Sequence, residues 1–128
     1  ARPFLGKDVI ERGMTAARIT GAAIAATPAK DSIKLCDDER RIVGDPARTT
    51  VWLAQTPQIG RYDLLLRAYH EQQFRFDQFT DEASVLHAAG HETRVFPGSE
   101  HNIKLTTPAD LEMANYIAAR WQGAGGNG

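Results

Sequence analysis

Residues 92–111, ETRVFPGSEHNIKLTTPADL, set two short apolar-rich runs, 92–96 and 102–105, on either side of Pro97-Gly98. The β-branched and aromatic content of the runs reads as strand, and Pro97-Gly98 reads as a turn. Thr107 suits a helix N-cap and Pro108 the first helical position, where its missing N–H costs nothing. The local reading is strand, turn, strand, helix. It leaves a lysine, Lys104, inside an apolar run just before a helix. A buried ammonium is costly unless something anionic meets it. Either Lys104 points to solvent from an alternating strand, or it waits for an anion.

The same grammar extends outward. Leu111, Ala114, Ile117, Ala118 and Trp121 line the core face of the last helix. Upstream, Thr80-Asp81-Glu82-Ala83-Ser84 opens another helix, with Thr80 as N-cap, the two acids at the positive end, and Gly90 as the stop. Residues 61–72, RYDLLLRAYHEQ, predict a helix with Leu65, Leu66 and Tyr69 on one side. Residues 7–18, KDVIERGMTAAR, predict another, with Val9, Ile10, Met14 and Ala17 near one face. Gly13 weakens it by ~1 kcal/mol relative to alanine. Between these helices, Gly21-Ala22-Ala23-Ile24-Ala25-Ala26 reads as a buried strand with close backbone neighbours, ended by Thr27-Pro28. Helices alternating with strands indicate an α/β fold.

Residues 30–52 differ. Ser32, Lys34 and Cys36 alternate with Ile33 and Leu35; Asp37-Asp38-Glu39 is a turn; Arg40-Arg41-Ile42-Val43 is a return strand. Such a charged hairpin is marginal alone in water, so it should lean on another surface, and a second subunit is one candidate. Residues 122–128, rich in glycine, are expected to form a disordered tail beyond a domain spanning 1–121.

The totals bound the function. With 128 residues, 42% hydrophobic and 24% charged, the chain suits one modest globular domain. A net charge of −1 supplies no basic field for a nucleic-acid backbone. No apolar run approaches the ~18 residues of a membrane helix. The one cysteine, Cys36, forms no disulfide within the chain, which fits a reducing compartment. The chain opens Ala1-Arg2-Pro3-Phe4 without a methionine, as a trimmed chain or a piece of a longer one would.

Four polar clusters fall at strand ends or helix starts: Asp31-Ser32; Arg48; Gln55-Thr56-Pro57-Gln58 with Thr80-Asp81; and Asn102-Ile103-Lys104. In α/β sheets such edges are where ligands bind. Hydroxyls with an arginine and a lysine suit a phosphate or polyol ligand. Each also has a plainer reading: Thr80 as a cap, Arg48 as solvated surface, Lys104 as a solvent-facing strand residue. His87 and His91 are four apart, but Gly90 lies between them and no third ligand is evident. No nucleophile elbow or glycine-rich phosphate loop is present in the sequence.

Together the motifs resemble the C-terminal half of the 2-C-methyl-D-erythritol 4-phosphate cytidylyltransferase family. Thr80 to Ser84 and Asn102-Ile103-Lys104-Leu105-Thr106-Thr107-Pro108-x-Asp110-Leu111 carry the likeness. Ala1-Arg2-Pro3 resembles the end of the family's Asp-Ala-Ala-Arg-Pro motif, Pro28 to Lys34 its Pro-x-x-Asp-Thr-x-Lys, and Arg48 to Gln58 its Arg-x-x-Leu-Trp-x-x-Gln-Thr-Pro-Gln. The resemblance implies a Rossmann-like nucleotidyltransferase domain with a projecting β-arm, about 30–52, whose interlocking makes a homodimer. It implies a magnesium- and CTP-dependent enzyme of non-mevalonate isoprenoid biosynthesis, joining methylerythritol phosphate to CMP with release of pyrophosphate. The family's location implies cytoplasm, or plastid for a plant-type source. By motif, Lys104 and Arg48 correspond to catalytic residues that position the methylerythritol phosphate, Arg48 acting across the dimer. Arg2, Ser32, Thr56 and Thr80 match substrate-binding positions, Ser32 standing where the family usually has threonine.

The N-terminal half, with the glycine-rich nucleotide loop and the magnesium carboxylate, would lie before Ala1. The chain alone is therefore expected to lack the nucleotide site and to be inactive, with no metal ligand of its own. A separate chain supplying that half would be a partner. Two other readings stay open: a ribitol-5-phosphate-type polyol cytidylyltransferase, which shares the Gln-Thr-Pro-Gln and Asn-Ile-Lys motifs, and a C-terminal half acting only as a dimerisation module. Trp52 and the Thr80–Ser84 motif favour methylerythritol phosphate.

Overall fold

The computed structural model describes residues 1–121; the expected disordered tail, 122–128, lies outside them. In chain order the elements are α1 (Lys7–Thr20), β1 (Ala22–Pro28), β2 (Leu35–Cys36), β3 (Ile42–Gly44), β4 (Trp52–Gly60), α2 (Tyr62–Glu71), α3 (Glu82–Ala88), β5 (Arg94–Pro97) and α4 (Pro108–Ala118), with short 3-10 turns at Arg48–Thr50 and Phe76–Gln78. The α/β reading is borne out.

Strand β1 is the middle of a three-stranded sheet ordered β4-β1-β5, antiparallel to β4 and parallel to β5. Its side chains alternate between two helical layers, as the period of two requires. Ala23 and Ala25 meet α1 through Val9 and Ala17, with Phe96 of β5 in the same cluster. On the other face Ala22 packs with Ala68 of α2 and with Val85 and Leu86 of α3. The run of alanines is what lets helices close on both sides of one strand.

Gly13 belongs to that contact. A Cβ there would lie 2.6 Å from both Ile59 Cδ1 and Phe96 Cζ. The buried face of α1 is therefore Val9-Gly13-Ala17, three residues at a spacing of four. Ile10 and Met14, expected on that face, are 38% and 46% exposed. A similar one-step rotation corrects α2, which packs Leu64, Leu65 and Ala68 inward and leaves Leu66 exposed and Tyr69 on the boundary. In α4 the buried residues are Ala114 and Ile117, which pack on Phe4 with Trp121, Ile103 and Leu105 around them. Leu111 and Ala118 face outward, contrary to expectation.

Three further expectations change. The segment 102–105 is not a strand: it forms no ladder, and its backbone bond to another segment runs from Leu105 N–H to Ala1 O at 2.8 Å. Strand β4 was not foreseen, because Gln55, Thr56, Pro57 and Gln58 carry none of the usual apolar alternation. The N-cap of α3 is Asp81, not Thr80; its carboxylate accepts the Ser84 N–H at 2.9 Å. Gly90 does follow α3 with the positive φ expected of a stop, 78°. Thr107 caps α4 as read, in a reciprocal capping box with Asp110 and with Pro108 behind it.

The hairpin of residues 35–44 forms its own two-stranded sheet, pairing Leu35 with Gly44 and Cys36 with Ile42. It is shorter than expected, because the Asp37 carboxylate accepts from the Glu39 and Arg41 N–H groups and holds residues 37–41 as a turn. Arg40 sits there at φ 65°. The Arg41 guanidinium holds the Asp37 carboxyl below its ordinary range. Leu35, Ile42 and Val43 are all exposed, so the described chain does not cover its own arm.

Candidate functional site

The outward half of β4 borders a cleft of about 420 Å³. Gln55, Thr56 and Gln58 come from the strand itself. Thr80 and Asp81 come from the entry to α3, Arg2 from the N-terminal segment, and Lys104 from the extended segment before α4. Four elements far apart in sequence thus meet at one edge of the sheet, where α/β architectures place ligands.

Arg2 is fixed by the backbone around it. Its Nη1 donates to Asn102 O, and its Nη2 to Ala54 O at 3.4 Å. Burial lowers its pKa from the ordinary value, yet a guanidinium keeps its charge. Lys104 is exposed at the cleft. It is therefore not a buried lysine, and the apolar neighbours that raised the question, Ile103 and Leu105, turn the other way into the Phe4 cluster.

Asp81 is the cleft's carboxylate, and its oxygens are occupied. Oδ1 accepts from Ser84 N–H and Ser84 Oγ (2.6 Å), and Oδ2 from Gln58 Nε2 at 3.1 Å. Partial burial pushes its pKa up, but the Ser84 and Gln58 hydrogen bonds outweigh that and hold it below the usual carboxylate value. Thr80, expected to cap, instead reaches Ser84 Oγ at 3.5 Å. With its acid engaged, a backbone-anchored Arg2 and an exposed Lys104 at its edge, the cleft has the chemistry of an anion site. Among the described residues no group of three or more His, Cys, Asp or Glu side chains gathers.

Four of the six sequence-predicted site residues, Arg2, Thr56, Thr80 and Lys104, come together here. Ser32 and Arg48 do not. Ser32 is exposed on the way into the arm. Arg48 is exposed in its 3-10 turn, with Nη1 donating to Lys30 O at 2.8 Å. Beside them lies a second cavity of about 320 Å³, lined by Lys30, Asp31 and Glu100, with Gln55 as the shared wall. The sequence named Gln55, Gln58, Asp81 and Asn102 only as members of polar clusters. The available signal for Asn102 was an amide set between a turn and an apolar residue; it is fully buried.

The family model described as 2-C-methyl-D-erythritol 4-phosphate cytidylyltransferase matches residues 1–120. The enzyme of that name from Alkaliphilus oremlandii is 45% identical over 117 residues, 91% of this chain and 50% of the relative. That of Bacillus licheniformis is 43% identical over 117 residues, again 91% of this chain and 50% of the relative. Among solved structures, the Francisella tularensis cytidylyltransferase superposes with a TM-score of 0.82 at 35% identity, covering 91% of this chain and 55% of that one. The chain spans about half the length of the curated relatives it matches. Strand order, cleft and motifs all fall within the matched region, and the chain belongs to the 2-C-methyl-D-erythritol 4-phosphate cytidylyltransferase family.

Proposed function

We propose that this chain forms the acceptor half of a CTP-dependent cytidylyltransferase, binding methylerythritol phosphate through its phosphate group in the β4 cleft. The observation that carries this is the convergence of Arg2, Lys104, Thr56 and Thr80 on one cleft whose own carboxylate is already bonded. A guanidinium offers a planar fork and an ammonium a mobile point charge, a pair suited to a phosphate monoester.

In the proposed reaction a phosphate oxygen of the acceptor attacks the α-phosphorus of CTP in line, and pyrophosphate leaves. Two polyanions must approach each other. Lys104 and Arg2 offset that repulsion and hold the attacking oxygen in place, which is most of what phosphoryl and nucleotidyl transfer asks of a protein. Magnesium would lower the charge of the nucleotide phosphates when bound, with ligands other than the engaged Asp81.

Arg48 enters the proposal from a second copy. The arm carries exposed Leu35, Ile42 and Val43 on a hairpin with no cover of its own, and Arg48 lies outside the cleft of its own chain. A homodimer joined through the arms would cover the former and bring the latter, with Ser32, to the neighbour's cleft. A cytoplasmic location is part of the same reading; among the described residues no helix is long and apolar enough to cross a membrane.

The test is calorimetric titration of the full-length protein with methylerythritol phosphate and with ribitol 5-phosphate, alongside Lys104→Ala. Binding of the first, weakened in the variant, supports the reading. Preferential binding of ribitol 5-phosphate, or equal binding by the variant, rejects it.

A further inference from the structure

The segment that carries Lys104 has no ladder to hold it. Between Gly98 and Thr106 its backbone bonds to the rest of the fold are Gly98 N–H to Ala26 O at 2.9 Å and Leu105 N–H to Ala1 O at 2.8 Å. Arg2 adds its Nη1 bond to Asn102 O, and two side-chain amides tie the segment to β4. Gln55 donates Nε2 to Ser99 O at 2.9 Å, and its Oε1 accepts from Ser99 N–H at 3.3 Å and from Asn102 Nδ2 at 3.4 Å. Asn102 Nδ2 also donates to Thr56 O at 2.6 Å. Gly98 leaves the room this needs: a Cβ there would sit 2.3 Å from Gln55 Oε1.

Asn102 and Lys104 alternate with Ile103 and Leu105, which both pack into the Phe4 cluster while Asn102 and Lys104 do not. Both meet β4, Asn102 through its bond to Thr56 O and Lys104 at the cleft. Meanwhile Asn102 is 0% exposed, and its Oδ1 has no hydrogen-bond partner among the described residues. A buried amide with half its capacity unmet is a poor way to stabilise a fold; an apolar side chain of similar size would serve as well. What such a side chain could not do is bond to β4 and set the height of Lys104 above Thr56.

We propose that Asn102 and Gln55 are positioning residues that aim Lys104 at the acceptor phosphate. The inference rests on the function proposed above. In the full-length protein, Asn102→Leu keeps the volume and removes the bonds. Gln55→Met does the same at the other end of the clamp and serves if the first variant folds poorly. Each lowers kcat/KM for methylerythritol phosphate by at least ~tenfold, the loss of roughly one hydrogen bond to a charged or buried partner. In a Lys104→Ala background either substitution changes it by less than ~twofold, because the residue it acts through is gone. Equal losses in both backgrounds overturn the proposal.

A second readout does not depend on turnover. In protein labelled with ¹³C at lysine, the Lys104 ε-methylene resonance shifts in Asn102→Leu and Gln55→Met. An unmoved resonance in folded variants also overturns the proposal. If Lys104→Ala itself has wild-type kinetics, the proposed function fails, and the resonance alone decides whether the amides position Lys104.

Discussion

Gln58 Nε2 lies 3.1 Å from Asp81 Oδ2, and the same amide's Oε1 accepts the Ala83 N–H at 3.1 Å. One glutamine of β4 therefore holds both the cap residue and the first turn of α3, fixing one wall of the cleft relative to its floor.

Asp81→Ala removes the cap and the Gln58 bond together. An N-cap is worth about 1 kcal/mol, so denaturant unfolding should show at least that loss. Thr80→Ala, which removes an exposed hydroxyl 3.5 Å from Ser84 Oγ, should fall within ~0.5 kcal/mol of wild type. Equal losses would return the cap to Thr80.

Lys104→Ala removes charge-assisted bonds worth ~1.5–3 kcal/mol each to a bound phosphate. In the full-length protein kcat/KM should fall by at least ~tenfold, with the melting temperature unchanged because the side chain is exposed. Wild-type kinetics would remove Lys104 from the site.

Arg48 should complement in trans. Mixing full-length Arg48→Ala with full-length Lys104→Ala, after verified subunit exchange, should restore activity, since some heterodimer sites contain neither defect. Absence of recovery would place Arg48 outside the neighbour's site.

Gly13→Ala should destabilise although alanine is the better helix former by about 1 kcal/mol. The added Cβ meets Ile59 Cδ1 and Phe96 Cζ at 2.6 Å, and overpacking of this kind costs ~1–3 kcal/mol. The double variant Gly13→Ala/Ile59→Val should recover part of the loss in thermal unfolding.

Backbone and hydroxyl hydrogen bonds from Thr106, then Thr107, lower the Asp110 pKa to about 2. A carboxyl depressed on folding contributes stability that is fully present above its unfolded pKa of ~3.9 and is lost as pH falls through the folded value. Stability should therefore decline between those two values, and Asp110→Asn should flatten that limb of a pH-dependent unfolding series. An unchanged limb would count against the capping box as its source.

Legibility followed the physics of each segment. Val9 and Ala17, the alanines of β1, and the Thr107-Pro108 start were readable because period and capping chemistry are local. Strand β4 was not, because its pairing with β1 is a non-local choice and its polar residues serve the cleft. Lys104 and Thr56 could be named as site candidates from the sequence, the amides Gln55 and Asn102 only as members of polar clusters. Nothing in the string places Gln55 against Ser99 and Asn102. Asp81 over Thr80 was a choice between adjacent capping residues, decided by Gln58 from another strand.

The Gln55–Asn102 clamp is made of groups that carry no charge at any pH the protein survives. The same loop also has an ion pair, Lys30 with Glu100 at 2.6 Å, both largely exposed. Added salt screens such a pair within a Debye length of about 8 Å at physiological ionic strength, while neutral amide bonds are nearly indifferent to it. The phosphate ligand proposed for this cleft would bring a variable cloud of counterions with it. The cleft's supporting wall keeps its shape through changes in that cloud because it is braced by dipoles.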